Sequence, residues 1–577
     1  MKQLVVDIET DELPATKVWL IGTMNVQTEE IHVFQLPHDR EEIQKCFNQY
    51  DEIIGHNFID FDATVLTQLL GISFANISIT DTLTLSKLFN PQLKEGHSLR
   101  AWGDRLGFPK DEYTNHNEPV TSDKIAYCVQ DLRVTNKLYN FLTAKLASFP
   151  GESVPLEHKV QKIITKQIQK GWLLDQRKCW DLLATLKEKK MELEDEVHGR
   201  FTPLPVFVKQ IEPKYKKDGT LSIVGLKFLS NPLRTVCGPL SHIDFPEFNL
   251  GSRQQIGRYL QYFGWKPKDF TDTGQAIVDE AVLRHVQGIP EATLIADFLL
   301  VQKRIAQVES WLEKVDPKDG RVHGSVNTIG AVTGPMTHSG PNVAQTPSSY
   351  SPYGSECRSC WIAKEGYKLV GADASGLELR MLAHYMNDKE YTHEVINGDV
   401  HTANQKAAGL ATRDNAKTFI YAFLYGAGDA KIGSIVGGSS KDGARLKAVF
   451  LDNTPSLRTL RERVERATVR GHLRGLDGRK LIIRSPHAAL NTLLQSAGAI
   501  IMKKALTILD EFATIHNIEY EFVGNIHDEF QVEVRDDQAE YFGELAVECI
   551  KAAGLKFNLR CPLDGEYKVG NTWAETH

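Results

Sequence analysis

Residues 413–428 read RDNAKTFIYAFLYGAG, and this stretch combines a helical period with an unusual stripe of polar and aromatic side chains. Four such residues recur at steps of four: Arg413, Lys417, Tyr421 and Tyr425. Four apolar residues fill the intervals: Phe419, Ile420, Phe423 and Leu424. Cations near the start of a helix, where the helix dipole also favours anions, suit a polyphosphate. Tyrosine rings farther along suit a sugar and a base. The stretch therefore predicts a helix that binds a nucleotide along one side and is anchored by the other.

The composition sets the class of protein. The chain has 577 residues, of which 42% are hydrophobic and 24% are charged. These values are typical of a globular protein, and the length favours three or more domains. No apolar run is long enough to predict a membrane span, and the first residues, MKQLVVDIETDE, carry acids where a signal peptide needs an apolar stretch. The sequence therefore predicts a cytoplasmic protein.

The net charge of −7 is unevenly distributed. Residues 1–150 hold 13 basic and 21 acidic side chains, whereas residues 200–270 hold 11 basic and five acidic ones. A basic stretch such as KYKK at 214–217 suits a position beside phosphates. A solvated loop explains the same stretch equally well, so charge leaves both interpretations open.

Three segments near the N-terminus carry acids in a suggestive order. In VVDIET, Asp7 and Glu9 are two residues apart on a predicted strand, so both carboxylates project from one face. HNFIDFD ends in Asp62, and YCVQD places Tyr127 four residues before Asp131, on one helix face. Four carboxylates on an α/β scaffold can hold two hard cations, an arrangement that activates water against a phosphodiester. Surface acids with a core tyrosine are the alternative.

Two further acids lie far apart in sequence. In YKLVGADASGLELR an apolar strand runs into Asp373, and a helical pattern follows. In YEFVGNIHDEFQVEV two strand-like halves flank His527, Asp528 and Glu529. Carboxylates at a strand end and at a hairpin tip can meet in space while each is rigidly held. Such a pair suits two magnesium ions that activate a sugar hydroxyl and neutralise a departing pyrophosphate.

Together these motifs resemble family A DNA polymerases with a 3′-5′ proofreading exonuclease of the four-acid, tyrosine type. The segments GDVHTANQ, LDGRKLIIRSPHAALNTLLQSAGA and NTWAETH are similar to the replicative polymerases of T-seven-like short-tailed phages. The resemblance implies an α/β multidomain fold, in which an RNase H-like exonuclease domain precedes a right-hand polymerase of palm, fingers and thumb. It implies template-directed addition of dNTPs to a primer 3′ end, with proofreading, in the replication of phage DNA.

The resemblance also implies domain bounds and partners. The expected parts are an exonuclease domain at 1–147, a linker at 148–155, a thumb at 156–325, and palm and fingers at 326–577, with the fingers at about 400–480. The implied partners are primer–template DNA, dNTPs and a phage helicase-primase, in the host cytoplasm and without a membrane.

Residue roles follow by position. The resemblance assigns two Mg²⁺ ions to each site, with Mn²⁺ as a substitute, on these ligands: Asp373, Ala374 and Asp528 for synthesis, and Asp7, Glu9, Asp62 and Asp131 for the nuclease. Tyr127 is expected to orient the attacking water. The expected triphosphate contacts are His401, Arg413 and Lys417. Glu378 and Tyr421 are expected to close against the sugar and exclude a ribose hydroxyl, with Tyr425 at the template-base position.

The remaining assignments concern the primer–template. The expected minor-groove contacts are His487, Asn491, Gln495, Asn342 and Gln345, and the residues expected near the primer terminus are His527 and Glu529. The sequence departs from the family in GAVTGPMTH, where Pro335 replaces the usual arginine and supplies neither charge nor a backbone donor.

An insertion at about 201–250 falls where the phage enzymes carry a thumb loop that captures host thioredoxin as a processivity factor. Here the insertion is shorter and its wording differs. Three interpretations stay open: binding of thioredoxin or another processivity factor, packing without a partner, and direct DNA contact through Lys209, Lys214, Lys216, Lys217 and Lys227.

Two alternatives exist for the whole chain. A single-subunit RNA polymerase has a similar fingers helix, but Glu378 and the nuclease motifs argue against it. An inert DNA-binding clamp has no need for six suitably placed acids.

Overall fold

The structure is a computed structural model and describes residues 1–110, 113–115, 117–149, 151–222 and 239–577. The chain forms two compact units. One combines Met1–Asp175 with Lys314–His577, and the other is Gln176–Glu313. The second unit begins and ends inside the bounds expected for the thumb.

The first 175 residues contain an α/β fold. Its elements are β1 Gln3–Thr10, β2 Val18–Asn25, β3 Ile31–Gln35, α1 Arg40–Phe47, β4 Glu52–Gly55, α2 Asp62–Leu70, β5 Ser78–Asp81, α3 Thr82–Phe89, α4 Leu99–Arg105, α5 Ser122–Leu146, α6 Ser153–Lys170 and β6 Trp172–Leu174. The sheet order is β3-β2-β1-β4-β5, with β1 antiparallel to β2 and parallel to β4. Helix α6 begins at Ser153, so its first residues lie inside the linker expected at 148–155.

Strand β1 is buried on both faces, which fixes the direction of its acids. Leu4, Val6 and Ile8 pack into one apolar core, whereas Val5 packs with Leu132 of α5 on the opposite face. Since alternate residues of a strand share a face, Asp7 and Glu9 lie on the Val5 side, toward α5.

The second unit is mainly helical. Its described elements are α7 Gln176–Arg200, β7 Val206–Ile211, β8 Leu240–Asp244, α8 Arg253–Tyr262, α9 Glu280–Arg284 and α10 Glu291–Leu312. The long helices α7 and α10 pack together, and Lys187 Nζ lies 2.8 Å from Glu309 Oε1 across them. Strands β7 and β8 pair antiparallel within the expected insertion. Lys227 lies outside the described residues.

The C-terminal part of the first unit holds a second sheet and a run of helices. Its elements are β9 Arg321–Val322, β10 Ser325–Asn327, β11 Thr337–Ser339, α11 Gly354–Ser359, β12 Trp361–Ile362, β13 Tyr367–Ala374, α12 Leu377–Met386, α13 Lys389–Asn397, α14 Val400–Ala408, α15 Arg413–Leu424, α16 Asp429–Ser434, α17 Ser440–Asn453, α18 Pro455–Thr468, β14 His472–Arg474, β15 Lys480–Ile482, α19 Ala489–Ile515, β16 Tyr520–Ile526, β17 Glu529–Arg535, α20 Ala539–Lys556 and β18 Gly565–Gly570. The antiparallel sheet β16-β17-β13-β18, called the palm sheet, lies within the residues expected for palm and fingers. Helices α14 to α18 occupy the region expected for the fingers.

Helix α19 corrects one sequence-based expectation. The segment Pro486–Ile515 is long and apolar enough to cross a membrane by length and composition, although the sequence had predicted no such run. In the structure, 78% of the most apolar 18-residue stretch of this segment is buried inside the protein. It is a core helix that packs against α20 and α6.

Helix α6 makes polar contacts on two sides, with the N-terminal α/β segment and with the C-terminal part of the first unit. Gln161 donates to the Asp60 carboxylate at 2.8 and 3.0 Å, and His158 Nε2 accepts the backbone N–H of Asp81 at 2.8 Å. On another side, buried Glu157 lies 2.6 Å from Lys503 Nζ of α19. The same carboxylate oxygen lies 2.6 Å from an Arg479 nitrogen, and Arg479 also pairs with Asp477.

Candidate active sites

The two acids expected to serve synthesis lie near each other at one end of the palm sheet, Asp373 on an interior strand and Asp528 in the turn before β17. Asp373, at the end of β13, lies opposite Glu529 of β17 and Glu566 of β18. Burial, followed by the charges of Asp528, Glu529 and Glu566, raises the pKa of Asp373 to about 8. The backbone N–H of Ala374 donates to the Asp528 carbonyl at 3.1 Å, which ties β13 to the turn that carries Asp528.

That turn is tight. His527 has φ of 58°, in the left-handed region, and Asp528 follows it between β16 and β17. Burial raises the pKa of Asp528, and the Glu529 carboxylate acts in the same direction. Two partly buried acids with raised pKa values fit a cation, because a divalent ion favours their ionised forms.

Glu529 has partners that sequence reasoning missed. Trp573 Nε1 donates to Oε1 at 3.0 Å, and His577 Nδ1 lies 2.9 Å from Oε2. Burial alone would raise the pKa of Glu529, but hydrogen bonds from His577, Gln531 and Trp573 lower it overall. Both partners, Trp573 and His577, lie in the motif NTWAETH, which indicated the family but not a contact with Glu529.

The fingers stretch forms the predicted helix. Thr412 caps α15 by accepting the N–H of Asn415, and the intervening apolar residues are buried: Phe419, Ile420, Phe423 and Leu424. Arg413 and Lys417 are exposed, and Tyr421 is half-buried. The stripe is therefore confirmed as a polar side of an anchored helix.

The three expected triphosphate contacts lie together at the start of this helix. Burial lowers the pKa of His401, and the charges of Arg413 and Lys417 lower it further. Arg413 Nε donates to Asp399 Oδ2 at 2.6 Å. Asp399 also caps α14 through the N–H groups of His401 and Thr402. Sequence reasoning missed Asp399, which it had quoted only within GDVHTANQ.

Glu378 bonds to one tyrosine of the stripe, Tyr425. The Tyr425 hydroxyl donates to Glu378 Oε2 at 3.1 Å. Burial raises the pKa of Tyr425 to about 12, with the Glu378 charge next in effect. Burial and then the Glu378 charge also raise the pKa of Tyr421, so both rings lie near this carboxylate. Gly426 follows with φ of 75°, and a Cβ there would meet the His487 carbonyl at 2.8 Å.

The expected minor-groove residues occupy two places. His487 lies in a 3-10 turn before α19, and Asn491 and Gln495 follow at steps of four, so the three share one side. Asn342 and Gln345 lie in and beside a separate 3-10 turn at Val343–Gln345.

Pro335, the departure from the family pattern, lines a cavity of about 50 Å³ together with Lys503, His527 and Glu529. It therefore lies close to the two residues expected near the primer terminus.

The four acids of the N-terminal segments also converge. Burial raises the pKa of Asp7 well above its ordinary value, and the charges of Asp131, Glu9 and Asp62 add to it. Burial and then Asp131 raise the pKa of Glu9 to about 7. Asp62, the first residue of α2, accepts the backbone N–H of Ile8 at 3.1 Å, which holds it against β1.

Two residues of this cluster were missed. Lys110 Nζ lies 2.5 Å from Asp131 Oδ2 and 4.5 Å from the centre of the Tyr127 ring. Cys128, buried next to Tyr127, offers its sulfur within 4.8 Å of carboxylate oxygens of Asp7 and Glu9. The Cys128 position was visible in YCVQD, whereas nothing in the pattern around Lys110 points to the acids.

The sequence profile of DNA polymerase family A matches residues 239–575. The chain belongs to this family. It is 35% identical to the DNA-directed DNA polymerases of Enterobacteria phage T3 and Escherichia phage T7, over 91% of this chain and 92% of each relative. The POL domain of Pol1 from M. smegmatis, in complex with DNA primer–template and dNTP, has a TM-score of 0.80 at 18% identity and covers 99% of this chain and 95% of that one.

This family A polymerase carries out template-directed DNA synthesis and depends on divalent metal. The predicted family, the multidomain α/β fold and template-directed DNA synthesis are confirmed, whereas proofreading stays a prediction. The domain bounds and the roles of individual residues stay predictions.

Proposed function

We propose that this polymerase extends primers at the site of Asp373 and Asp528 and proofreads by 3′-5′ hydrolysis at the site of Asp7, Glu9, Asp62 and Asp131. The observation that carries the second activity is the convergence of four acids from β1, α2 and α5 in one buried cluster. A fold has no structural use for four buried carboxylates that repel one another, since each costs free energy unless a cation compensates it.

The residues at both sites fit two hard cations each, with Mn²⁺ as a substitute for Mg²⁺. Carboxylate oxygens are the ligands that these ions prefer. Asp373 and Asp528, with the Ala374 carbonyl, would hold them for synthesis, and the four N-terminal acids would hold them for hydrolysis. Bound ions supply Lewis-acid activation of the attacking oxygen and neutralise charge on the leaving oxygen.

In the nuclease site the protein's own contribution is positioning. Tyr127 lies on the same helix as Asp131, one turn earlier, so its hydroxyl can orient a water toward the scissile phosphodiester. Burial of the cluster strengthens each electrostatic interaction with the substrate.

In the synthesis site Arg413, Lys417 and His401 would neutralise the triphosphate as charge develops on it. Arg413 has to leave Asp399 to do so, and the exposed position of this ion pair keeps that cost small.

Sugar selection would fall to Glu378 with Tyr421, while Tyr425 would hold the template-base position until the fingers close. The hydrogen bond from Tyr425 to Glu378 supports this order, because it engages the carboxylate that the nucleotide sugar would have to reach.

Contacts with the primer–template would come from the residues that share one side before and along α19: His487, Asn491 and Gln495. Asn342 and Gln345 would add a second contact. Acceptors common to all base pairs in the minor groove allow these side chains to test shape without reading sequence. His527 and Glu529 would lie near the primer terminus.

The nuclease assignment is tested with Asp7→Ala combined with Glu9→Ala in the full-length protein. Loss of trimming of single-stranded DNA from its 3′ end, with primer extension retained, is the expected result. Asp373→Asn is the matched control, since it should lose extension and keep trimming. Trimming at the original rate by the double variant would refute the assignment.

The insertion is proposed to contact DNA directly. Its lysines are exposed in the described part: Lys209, Lys214, Lys216 and Lys217. Phe207 and Ile243 pair across β7 and β8 with 63% and 48% of their surfaces exposed. Exposed aromatic and basic side chains suit a nucleic-acid strand.

Thioredoxin or another processivity factor is the rival occupant, and a phage helicase-primase in the host cytoplasm is the further expected partner. Product length on a primed template, measured with and without thioredoxin, separates the interpretations. Longer products in the presence of thioredoxin would favour thioredoxin binding. Products that thioredoxin does not lengthen, but that Lys209→Ala combined with Lys216→Ala shortens, would favour direct contact with DNA.

A further inference from the structure

The nuclease cluster contains a resident positive charge of its own. The Lys110 ammonium lies 2.5 Å from Asp131 Oδ2, and the two side chains are only 18% and 4% exposed. The ammonium also lies over the Tyr127 ring at 4.5 Å. It therefore contacts both the acid and the tyrosine assigned to hydrolysis.

The charge of Lys110 reaches beyond its direct partner. It lowers the pKa of Asp7 and of Glu9, while burial and the neighbouring acids raise both. Lys124 acts on Glu9 in the same direction, and its ammonium also donates to the Glu118 carbonyl. Lys110 is a cation placed directly on a carboxylate of the cluster.

If one oxygen of Asp131 bound both the ammonium at 2.5 Å and a divalent ion, the two cations would repel each other strongly. A lysine side chain has four rotatable carbon bonds, so it can leave when an ion arrives.

We propose that Lys110 is a built-in counter-cation that occupies Asp131 in the metal-free nuclease site and competes with divalent ions for it. Lys110 thereby keeps the four-acid cluster folded without metal and sets the metal concentration at which the site fills. The inference rests on the proposed nuclease function, because it assumes that the four acids bind metal.

The test is Mn²⁺ binding by electron paramagnetic resonance to full-length protein. The background carries Asp373→Asn and Asp528→Asn, which removes the ligands of the synthesis site. All variants are compared at one pH, so competition from protons is the same for each. Lys110→Met should tighten Mn²⁺ binding by roughly tenfold.

Lys137→Met is the matched control. Lys137 is exposed on α5, the helix that carries Asp131, and lies 4.3 Å from the Phe108 ring, so it has a cation–aromatic contact like that of Lys110. It should leave the Mn²⁺ affinity unchanged. Lys110→Arg keeps the charge and should bind Mn²⁺ like the parent protein.

Thermal unfolding gives a second readout. Lys110→Met should lower the melting temperature in chelator, and saturating Mn²⁺ should remove most of that difference. Equal or weaker Mn²⁺ binding by Lys110→Met, or a melting deficit that persists with Mn²⁺, would overturn the proposal.

Failure of the nuclease assignment itself gives a different result. In that case, adding Asp7→Asn and Glu9→Gln to the parent background would leave its Mn²⁺ binding unchanged. If the parent binds and only the Lys110 variants are indistinguishable from it, the counter-cation role alone is wrong.

Discussion

The Tyr425 hydroxyl donates a 3.1 Å hydrogen bond to Oε2 of Glu378, and so joins the end of the fingers helix to the start of α12. If this bond has to break before a nucleotide sugar reaches Glu378, the free enzyme is partly held in a form that cannot bind it. Tyr425→Phe should then lower the apparent Kd for dNTP by roughly fivefold, the value of one typical hydrogen bond.

Single-turnover incorporation at a series of dNTP concentrations measures this effect. Tyr567→Phe is the control, since Tyr567 makes a similar bond to Glu540 at 3.2 Å in an exposed position. Weaker nucleotide binding by Tyr425→Phe would contradict the idea that the bond holds the site closed.

Lys417→Ala should lower the rate of incorporation by about 10²-fold or more, because the triphosphate loses a charge-stabilising donor. Lys417 is exposed on the polar side of α15, so its removal should not unfold the helix. Lys441→Ala, in the exposed first turn of the neighbouring helix α17, should stay near the parent rate. An unchanged single-turnover rate for Lys417→Ala would exclude its role.

Asp373 makes the metal-free protein sensitive to pH. Its pKa is about 8 in the folded protein against 3.8 as the ordinary value, so the folded state holds the proton more tightly. The stabilisation that comes from this extra proton is therefore fully present below the ordinary pKa of 3.8 and is lost as the pH rises to the folded pKa of about 8. In chelator the contribution of Asp373 to the melting temperature should fall between about pH 4 and about pH 8.

Asp373→Asn cannot ionise and should show a smaller fall over the same range. Asp181→Asn, at an exposed position, should retain the parent slope. Magnesium should raise the melting temperature of the parent more than that of Asp373→Asn. Identical slopes for parent and Asp373→Asn would mean that another group dominates.

Glu157→Gln should destabilise the fold by about 3–5 kcal/mol, because Lys503 and Arg479 would stay buried without their shared carboxylate. The neighbouring pair of Glu152 and Lys504 provides the comparison, with a 2.7 Å contact in which Glu152 is 56% exposed. Glu152→Gln should cost at most about 1 kcal/mol. Denaturant unfolding of both variants measures the difference, and equal losses would refute the distinction.

The parts that the sequence predicted correctly depend on short-range periods. A step of two on β1 places Asp7 and Glu9 on one face, and a step of four places Tyr127 with Asp131. The step of four along α15 likewise predicted which residues are buried. Such periods follow from local backbone geometry, so they can be read without knowledge of the tertiary fold.

The parts that were missed depend on contacts between distant segments. Asp399 meets Arg413 through the packing of α14 on α15, and Lys110 reaches Asp131 from a loop with no period. The bond from Tyr425 to Glu378 likewise joins the end of α15 to a helix 47 residues away in sequence.

Helix α6 has a consequence for protein engineering. Its residues Gln161 and His158 bond to the N-terminal sheet, while Glu157 on the same helix is buried against α19. Deleting the first 150 residues to obtain a nuclease-free enzyme would remove the hydrogen-bond partners of Gln161 and His158 on α6, while Glu157 of the same helix still contacts α19. Separation of the two activities should therefore rely on point substitutions in the acid cluster, with the whole scaffold left intact.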